Sequence, residues 1–238
     1  MIRHTRLPDT GRLLDIGCGN GAFLRAFARA MPRWTLVGTE LSDATRAIVE
    51  SIPGVEGLHV GSLDDLTGQF DLIALVHVLE HVSRPLDLLA VVSSKVKADG
   101  VVFVEVPDVP LNPFDLVIAD HISHFTPATA TALLESAGYV VSTSSRSWAV
   151  KEISVLARHA TGVRERPRGH LEGEVIDSLH WLLAVADAAR AASARAAPSF
   201  GLFGSSNAAA WLAQEVNCGM RFFVDEDPQR QQDRKSVV

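Results

Sequence analysis

The chain has 238 residues, 47% of them hydrophobic and 21% charged, so it can bury a full α/β core and is too apolar to be disordered. A net charge of −6 gives no basic footprint for nucleic acid, and two distant cysteines, Cys18 and Cys218, form neither a disulfide framework nor a CxxC metal set. No apolar run approaches the ~18 residues of a membrane span, and MIRHTRLPDT lacks the apolar centre of a secretion signal, so a cytoplasmic protein without membrane partners is expected.

Strand and helix signals alternate from the start. Arg12 to Ile16 reads as a first strand, and Ala22 to Met31 as a helix stopped by Pro32. A second strand is expected over Trp34 to Thr39. Ser42 is the expected N-cap of a helix from Ala44 to Ser51, before Pro53-Gly54. A short third strand lies near Leu58 to Val60. Leu72 to Val76 is a continuous apolar run, as in a parallel sheet covered on both faces. Pro85 suits the first position of a helix to Val96, and Asp99-Gly100 turns the chain into a fifth strand, Val101 to Val106.

Pro107 to Phe125 is long and proline-punctuated, and loops of that length inside a domain are usually functional. Thr126-Pro127 start a helix that ends at Gly138, with Thr126 as cap. Tyr139 to Ser144 and Glu152 to Arg158 follow without a helix between them, which makes them an antiparallel hairpin. Residues 1–160 therefore read as one α/β domain with a Rossmann-like, mostly parallel sheet. Residues 161–198 read as a charged linker and one long helix, Leu171 to Ala196, ended by Pro198. Residues 199–238 read as a partial βαβ unit and a polar tail: strand Phe200 to Phe203, turn GSSN, helix Ala208 to Val216, strand Phe222 to Val224, then Asp225. Two strands leave a bare sheet edge, which invites pairing with another chain and a homo-oligomer.

The chemistry concentrates at LDIGCGNG, Leu14 to Gly21. A buried strand runs into a glycine turn that opens a helix, and Glu40 ends the next strand, where a carboxylate can accept from two ribose hydroxyls. The glycines are closer together than in the dinucleotide fingerprint. Asp15 just before them suits an ammonium and a sulfonium better than a diphosphate. Bare backbone at Gly17 and Gly19 lets a ligand approach closely. A nicotinamide oxidoreductase is the weaker alternative on the same grounds.

LDIGCGNG with Glu40, FDLIALVHVLEHV (Phe70 to Val82) and the closing hairpin resemble the class I S-adenosylmethionine-dependent methyltransferases over roughly residues 12–158. The resemblance implies S-adenosylmethionine as cofactor. Asp15, Gly17 and Gly19 would line its methionine end, Glu40 its ribose, Leu41 and Leu63 its adenine, and His77 would face it from the fourth strand. The acid usual after the third strand is replaced by Ser62, with Asp64 and Asp65 following, which leaves the adenine amino contact unassigned.

Methyl transfer needs the acceptor held in line with the S–CH3 bond, and a base only where the acceptor must lose a proton. Asp120-His121-Ile122-Ser123-His124 supplies two imidazoles beside a carboxylate, so His121, His124 and Asp120 are the catalytic candidates. That stretch is similar to the Glu-His-Leu-Ser-Tyr segment of sugar C-methyltransferases, in which it abstracts a proton next to a keto group. FGSSNAAAWL with FFVDEDP resembles the start of the Rossmann-like domain that follows the core in that family. A sugar or nucleotide-sugar is then the sharper form of a small-molecule acceptor. The cysteine-rich zinc segment and lid helices that usually open those enzymes have no counterpart before strand one. That leaves open a fragment, a frameshifted frame, a minimal enzyme, or a cofactor-binding pseudoenzyme. Glu80 and His81 read as structural residues after strand four, His59, His159, His170 and His180 show no constellation, and no spaced set of metal ligands is visible.

Overall fold

The computed structural model describes residues 1–159, 172–196, 199–216 and 220–226. The expected linker, Leu171, Pro198, Cys218 and the polar tail lie outside the described residues. In chain order the first half runs β1 (Arg12–Ile16), α1 (Ala22–Ala30), β2 (Thr35–Glu40), α2 (Arg46–Glu50), β3 (Val55–Val60), β4 (Phe70–Val76), α3 (Pro85–Lys95) and β5 (Val96–Pro107). Then come α4 (Pro127–Ser136), β6 (Tyr139–Ser145), β7 (Glu152–His159), α5 (Glu172–Ala196), β8 (Phe200–Phe203), α6 (Asn207–Val216) and β9 (Met220–Val224).

Seven strands form one sheet in the order β3-β2-β1-β4-β5-β7-β6. Neighbours from β3 to β5 are parallel, and β7 runs antiparallel to both β5 and β6. Side-chain alternation along the strands divides the core. Leu14 and Ile73 join Leu89, Val92 and Leu134 of α3 and α4, while Leu13 and Leu72 join Leu24, Phe27 and Val49 of α1 and α2. All four strand residues are fully buried, each contributing about 1.5–3 kcal/mol of burial. Strand order reverses between β1 and β4, and in open α/β sheets the crevice at the carboxyl ends of such a pair is where ligands bind.

Several expected boundaries move. Ser42 does not cap α2, which begins at Arg46 with Thr45 at its N-cap and no side-chain cap bond, because a turn closed by Arg46 N–H to the Asp43 carbonyl intervenes. Asp99-Gly100 is a bulge inside β5 rather than its start. Val96 pairs with Phe70 and Val101 with Leu72, so the residues between them are looped out. β3 extends back to Val55. The cap at Thr126 holds: its side chain accepts from Thr129 N–H, and Thr129 bonds back to the Thr126 N–H.

β8 and β9 form a two-stranded parallel sheet joined by α6. α5 and α6 pack on the loop after β5 through Phe114. Its ring lies 5.3 Å from Trp181 and 6.0 Å from Trp211, both edge-on. The C-terminal helices thereby cover the turn Pro113–Val117 that precedes the catalytic candidates.

Candidate active site

The turn after β1 takes three left-handed glycines, Gly17, Gly19 and Gly21, with φ of 66°, 55° and 77°. A Cβ at Gly17 would lie 2.9 Å from a Val78 methyl, and one at Gly21 would lie 2.5 Å from Ile52. Those two positions are closed by packing. At Gly19 an added Cβ meets nothing within 4 Å, so this backbone faces open space above the turn. Glu40, at the end of β2, reaches across: its Oε1 accepts from Gly19 N–H at 2.5 Å and its Oε2 from Leu41 N–H at 3.2 Å. Each oxygen keeps a free lone pair for a further donor.

Beneath the turn Asp15 is buried, and its Oδ2 has no hydrogen-bond partner. Burial, reinforced by the Glu40 charge, pushes its carboxyl well above the usual carboxylate range. A buried polar atom without a partner is costly, so a donor arriving there would be stabilising. Burial also pushes the Cys18 thiol up to about 12, which removes it as a nucleophile. Leu41, beside Glu40, is 97% exposed and forms an open apolar wall. Leu63 is half-buried on a short turn, Leu63–Asp65, capped by Ser62.

His77, immediately after β4, adopts φ of 54°, unusual for a residue with a side chain and found most often at functional sites. Its N–H donates to the Glu105 carbonyl, and its Nδ1 lies 3.1 Å from Glu80 Oε1. The hydrogen bond to Glu80 raises the imidazole above its ordinary value, against desolvation. Glu80 is fully buried with an unpartnered Oε2, and its carbonyl accepts from Ile122 and Ser123 N–H, which pins the histidine loop to the end of β4.

That loop is organised around a residue the sequence reading passed over. Asp115, 1% exposed, accepts from His121 Nδ1 through Oδ1 at 2.5 Å and from His124 Nδ1 through Oδ2 at 2.7 Å. Asp120, the expected orienting acid, is exposed and turned to His81, whose Nδ1 lies 3.5 Å from its Oδ2. The chain geometry explains the exchange. Asp115 is the buried residue of a short turn, Pro113–Val117, packed against α5 and α6, whereas Asp120 lies at the solvent edge of the loop. The fold also brings Glu80, His81 and His121 together, with one potential ligand atom of each within 4.8 Å of the others.

A model of a methyltransferase domain matches residues 3–144. The chain belongs to this methyltransferase domain family. Among relatives, it is 41% identical over 73 residues to a dTDP-4-amino-2,3,4,6-tetradeoxy-D-glucose N,N-dimethyltransferase of Saccharopolyspora spinosa, covering 29% of this chain and 28% of that protein. It is 31% identical over 125 residues to a ubiquinone biosynthesis O-methyltransferase of Xanthomonas campestris pv. campestris (strain B100), covering 49% and 52%. The chain thus spans about half or less of the length of these relatives. Its fold matches the calicheamicin-biosynthesis methyltransferase CalO1 in its SAH-bound form, with a TM-score of 0.55 and 19% identity over 66% of this chain and 51% of that one.

In this methyltransferase domain the antiparallel insertion of β7 sets Glu152 opposite Pro107, at the same sheet end as the glycine turn. Burial raises its carboxyl to about 7, and Oε2 has no partner. The sequence signal was slight, one acid at the start of the strand Glu152–His159. A folded pKa raised from 4.5 to about 7 adds stability that is complete below pH 4.5 and lost as pH rises through about 7. Glu152→Gln, which mimics the protonated acid, is therefore expected to melt higher than wild type at about pH 8, with the gap closing towards pH 4.5. Thermal denaturation across that range reads the difference, and a pH-independent gap would contradict the assignment.

Proposed function

We propose that this domain binds S-adenosylmethionine across the Gly17–Gly21 turn and transfers its methyl group to a small polar acceptor. The observation that carries the reading is the pairing of an open Gly19 backbone with two acids of different character: buried, unpartnered Asp15 and half-buried Glu40. The residues fit the cofactor. Asp15 would receive the cationic amino-acid end, and the arriving charge would draw off the proton that burial otherwise holds on the carboxyl. Gly19 would let that end lie against backbone, with Gly17 shaping the turn beside it. Glu40 would accept from the ribose hydroxyls, Leu41 and Leu63 would flank the adenine, and His77 would face the cofactor from the end of β4.

When bound, the cofactor supplies an electrophilic methyl on a sulfonium; the chain's own residues position the acceptor and manage its proton. Asp115 fixes Nδ1 of His121 and His124 as the protonated nitrogen, which leaves Nε2 of each as the basic atom. His124, with a side chain 27% exposed against 10% for His121, is the one placed to take an acceptor proton. Asp120 serves His81 instead. A cavity of about 590 Å³ lies between the 110–114 loop, Lys151 and the α5 residues Glu174, Asp177, Ser178 and Trp181, next to Asp115 in the chain. Its apolar rings and charged rim suit a sugar or nucleotide-sugar, and the amino-sugar dimethyltransferase relative supports an acceptor of that kind.

Calorimetric titration with S-adenosylmethionine and its demethylated product tests the first half. Binding in the micromolar range is expected, weakened at least tenfold by Glu40→Ala, since hydrogen bonds to a charged group are worth about 1.5–3 kcal/mol. No heat with either ligand would overturn the reading. Transfer of a labelled methyl to a panel of sugar nucleotides tests the second half. Cofactor binding without transfer to any acceptor would instead mark a pseudoenzyme.

A further inference from the structure

Among the described residues, one cluster of metal-ligating side chains adjoins the cofactor contacts through the Glu80–His77 hydrogen bond. Glu80 and His81 come from the turn after β4, and His121 from the loop after β5, forty residues later; one ligand atom of each lies within 4.8 Å of the other two. Each of the three is also held from behind. His121 Nδ1 donates to buried Asp115, 2.5 Å away. His81 Nδ1 donates to the Asp120 carbonyl at 3.0 Å. Glu80 Oε1 is engaged by His77 Nδ1 at 3.1 Å. With both Nδ1 atoms used, Nε2 of each ring is the nitrogen left to coordinate, and Glu80 keeps one buried oxygen, Oε2, without a partner. Carboxylate or carbonyl behind histidine is the arrangement that fixes tautomer and ring direction in metal sites.

We propose that Glu80, His81 and His121 form a binding site for a divalent transition-metal ion of the zinc type. Two neutral imidazoles and one carboxylate favour such borderline ions over magnesium or calcium, which take oxygen sets. The His81 and His121 rings already stand edge to face, with centroids 4.7 Å apart. Zinc–ligand bonds of about 2.0–2.1 Å require ligand atoms about 3.3 Å apart in a tetrahedral set, so the rings must turn and close to take an ion. His81 supplies that movement, because its side chain is 40% exposed and sits on a single short turn. Glu80 is fully buried with Oε1 on His77 and Oε2 unpartnered, and a cation arriving there would satisfy that second oxygen. The ion would clamp the histidine loop onto the end of β4, leaving His124 free for the acceptor, with its remaining coordination position for water or an acceptor oxygen.

The site does not depend on cofactor binding, so its test uses the untagged, metal-free full chain without S-adenosylmethionine. Titration with Co2+, followed by its visible absorption and displaced by Zn2+, is expected to show one saturable site. His81→Gln and His121→Gln should each weaken Co2+ binding at least tenfold. Asp115→Asn, which alters the group behind His121 as well as His124 but touches neither His81 nor Glu80, should weaken it about 10–100-fold. Exposed His81 is not needed for folding, so His81→Gln, with its circular dichroism unchanged, keeps the test decisive even where Glu80→Gln fails to fold. Absence of a saturable site, or affinity unchanged in both histidine variants, overturns the proposal whatever the cofactor titration shows.

Discussion

Gly19→Arg is expected to abolish binding of S-adenosylmethionine, by more than about 100-fold, while the chain stays folded. The substitution separates ligand from fold because of where Gly19 lies. Its Cβ would point into open space, so the new side chain meets no protein atom within 4 Å at its root. The folded state bears only the cost of a side chain at φ of 55°, about 1–2 kcal/mol. The arginine would, however, fill the space above the turn and compete for the Glu40 carboxylate that now caps Gly19 N–H. Gly21→Val is the contrasting control, since its Cβ would run into Ile52 at 2.5 Å and cost stability directly. Calorimetry beside thermal melting distinguishes the two, and an unaltered cofactor affinity in Gly19→Arg would place the ligand elsewhere.

Asp115→Asn is expected to lower the rate of methyl transfer at least about 100-fold with cofactor affinity unchanged. The carboxylate accepts from two imidazole N–H groups at once, one on each oxygen. An asparagine of the same shape keeps one acceptor oxygen and turns a donor NH2 on the other ring. That ring must break its hydrogen bond or switch tautomer, and a switched ring presents Nε2–H where a base is required. A purely structural role would move the melting temperature and both kinetic constants together. A positioning role lowers kcat and shifts its pH profile, with the cofactor titration unmoved. Full activity in the variant would show that the acceptor takes no base from this loop.

Legibility followed the range of the interactions. The five parallel strands, the hairpin and the glycine turn were readable because each is encoded locally. Apolar runs such as Leu72 to Val76 make buried strands, and Thr126-Pro127 fixes a helix start through its own capping atoms. Boundaries moved where tertiary pairing took over, as at Val96, which pairs with Phe70 although the local sequence suggests a turn. The candidate site split the same way. Asp15, Gly19 and Glu40 lie on one β-turn-α-β stretch, and they meet in space as their spacing implies. Asp115 was missed because adjacency in sequence favoured Asp120, whereas burial under Phe114 and α5 selected the acid six residues before His121. Glu152 and the Glu80–His81–His121 set were invisible for a related reason. They arise from β7 inserting antiparallel beside β5 and from a loop folding back on β4, neither of which leaves a spacing pattern.

The C-terminal segment alters how the site is enclosed. Trp181 and Trp211 grip Phe114, so α5 and α6 hold down the turn that carries Asp115, and α5 forms one wall of the neighbouring cavity. A bare two-stranded sheet contributes little stability by itself. Its attachment through α5 and α6 links that unit to the turn that carries Asp115.

The account rests on a single cleft between β1 and β4. A crystal structure with the demethylated cofactor, S-adenosylhomocysteine, tests it most directly. The account predicts the nucleoside over the Gly17–Gly21 turn, its amino group within hydrogen-bond reach of Asp15 and its ribose on Glu40. Ligand density elsewhere, or a ribose that leaves Glu40 bonded to Gly19 alone, would contradict it.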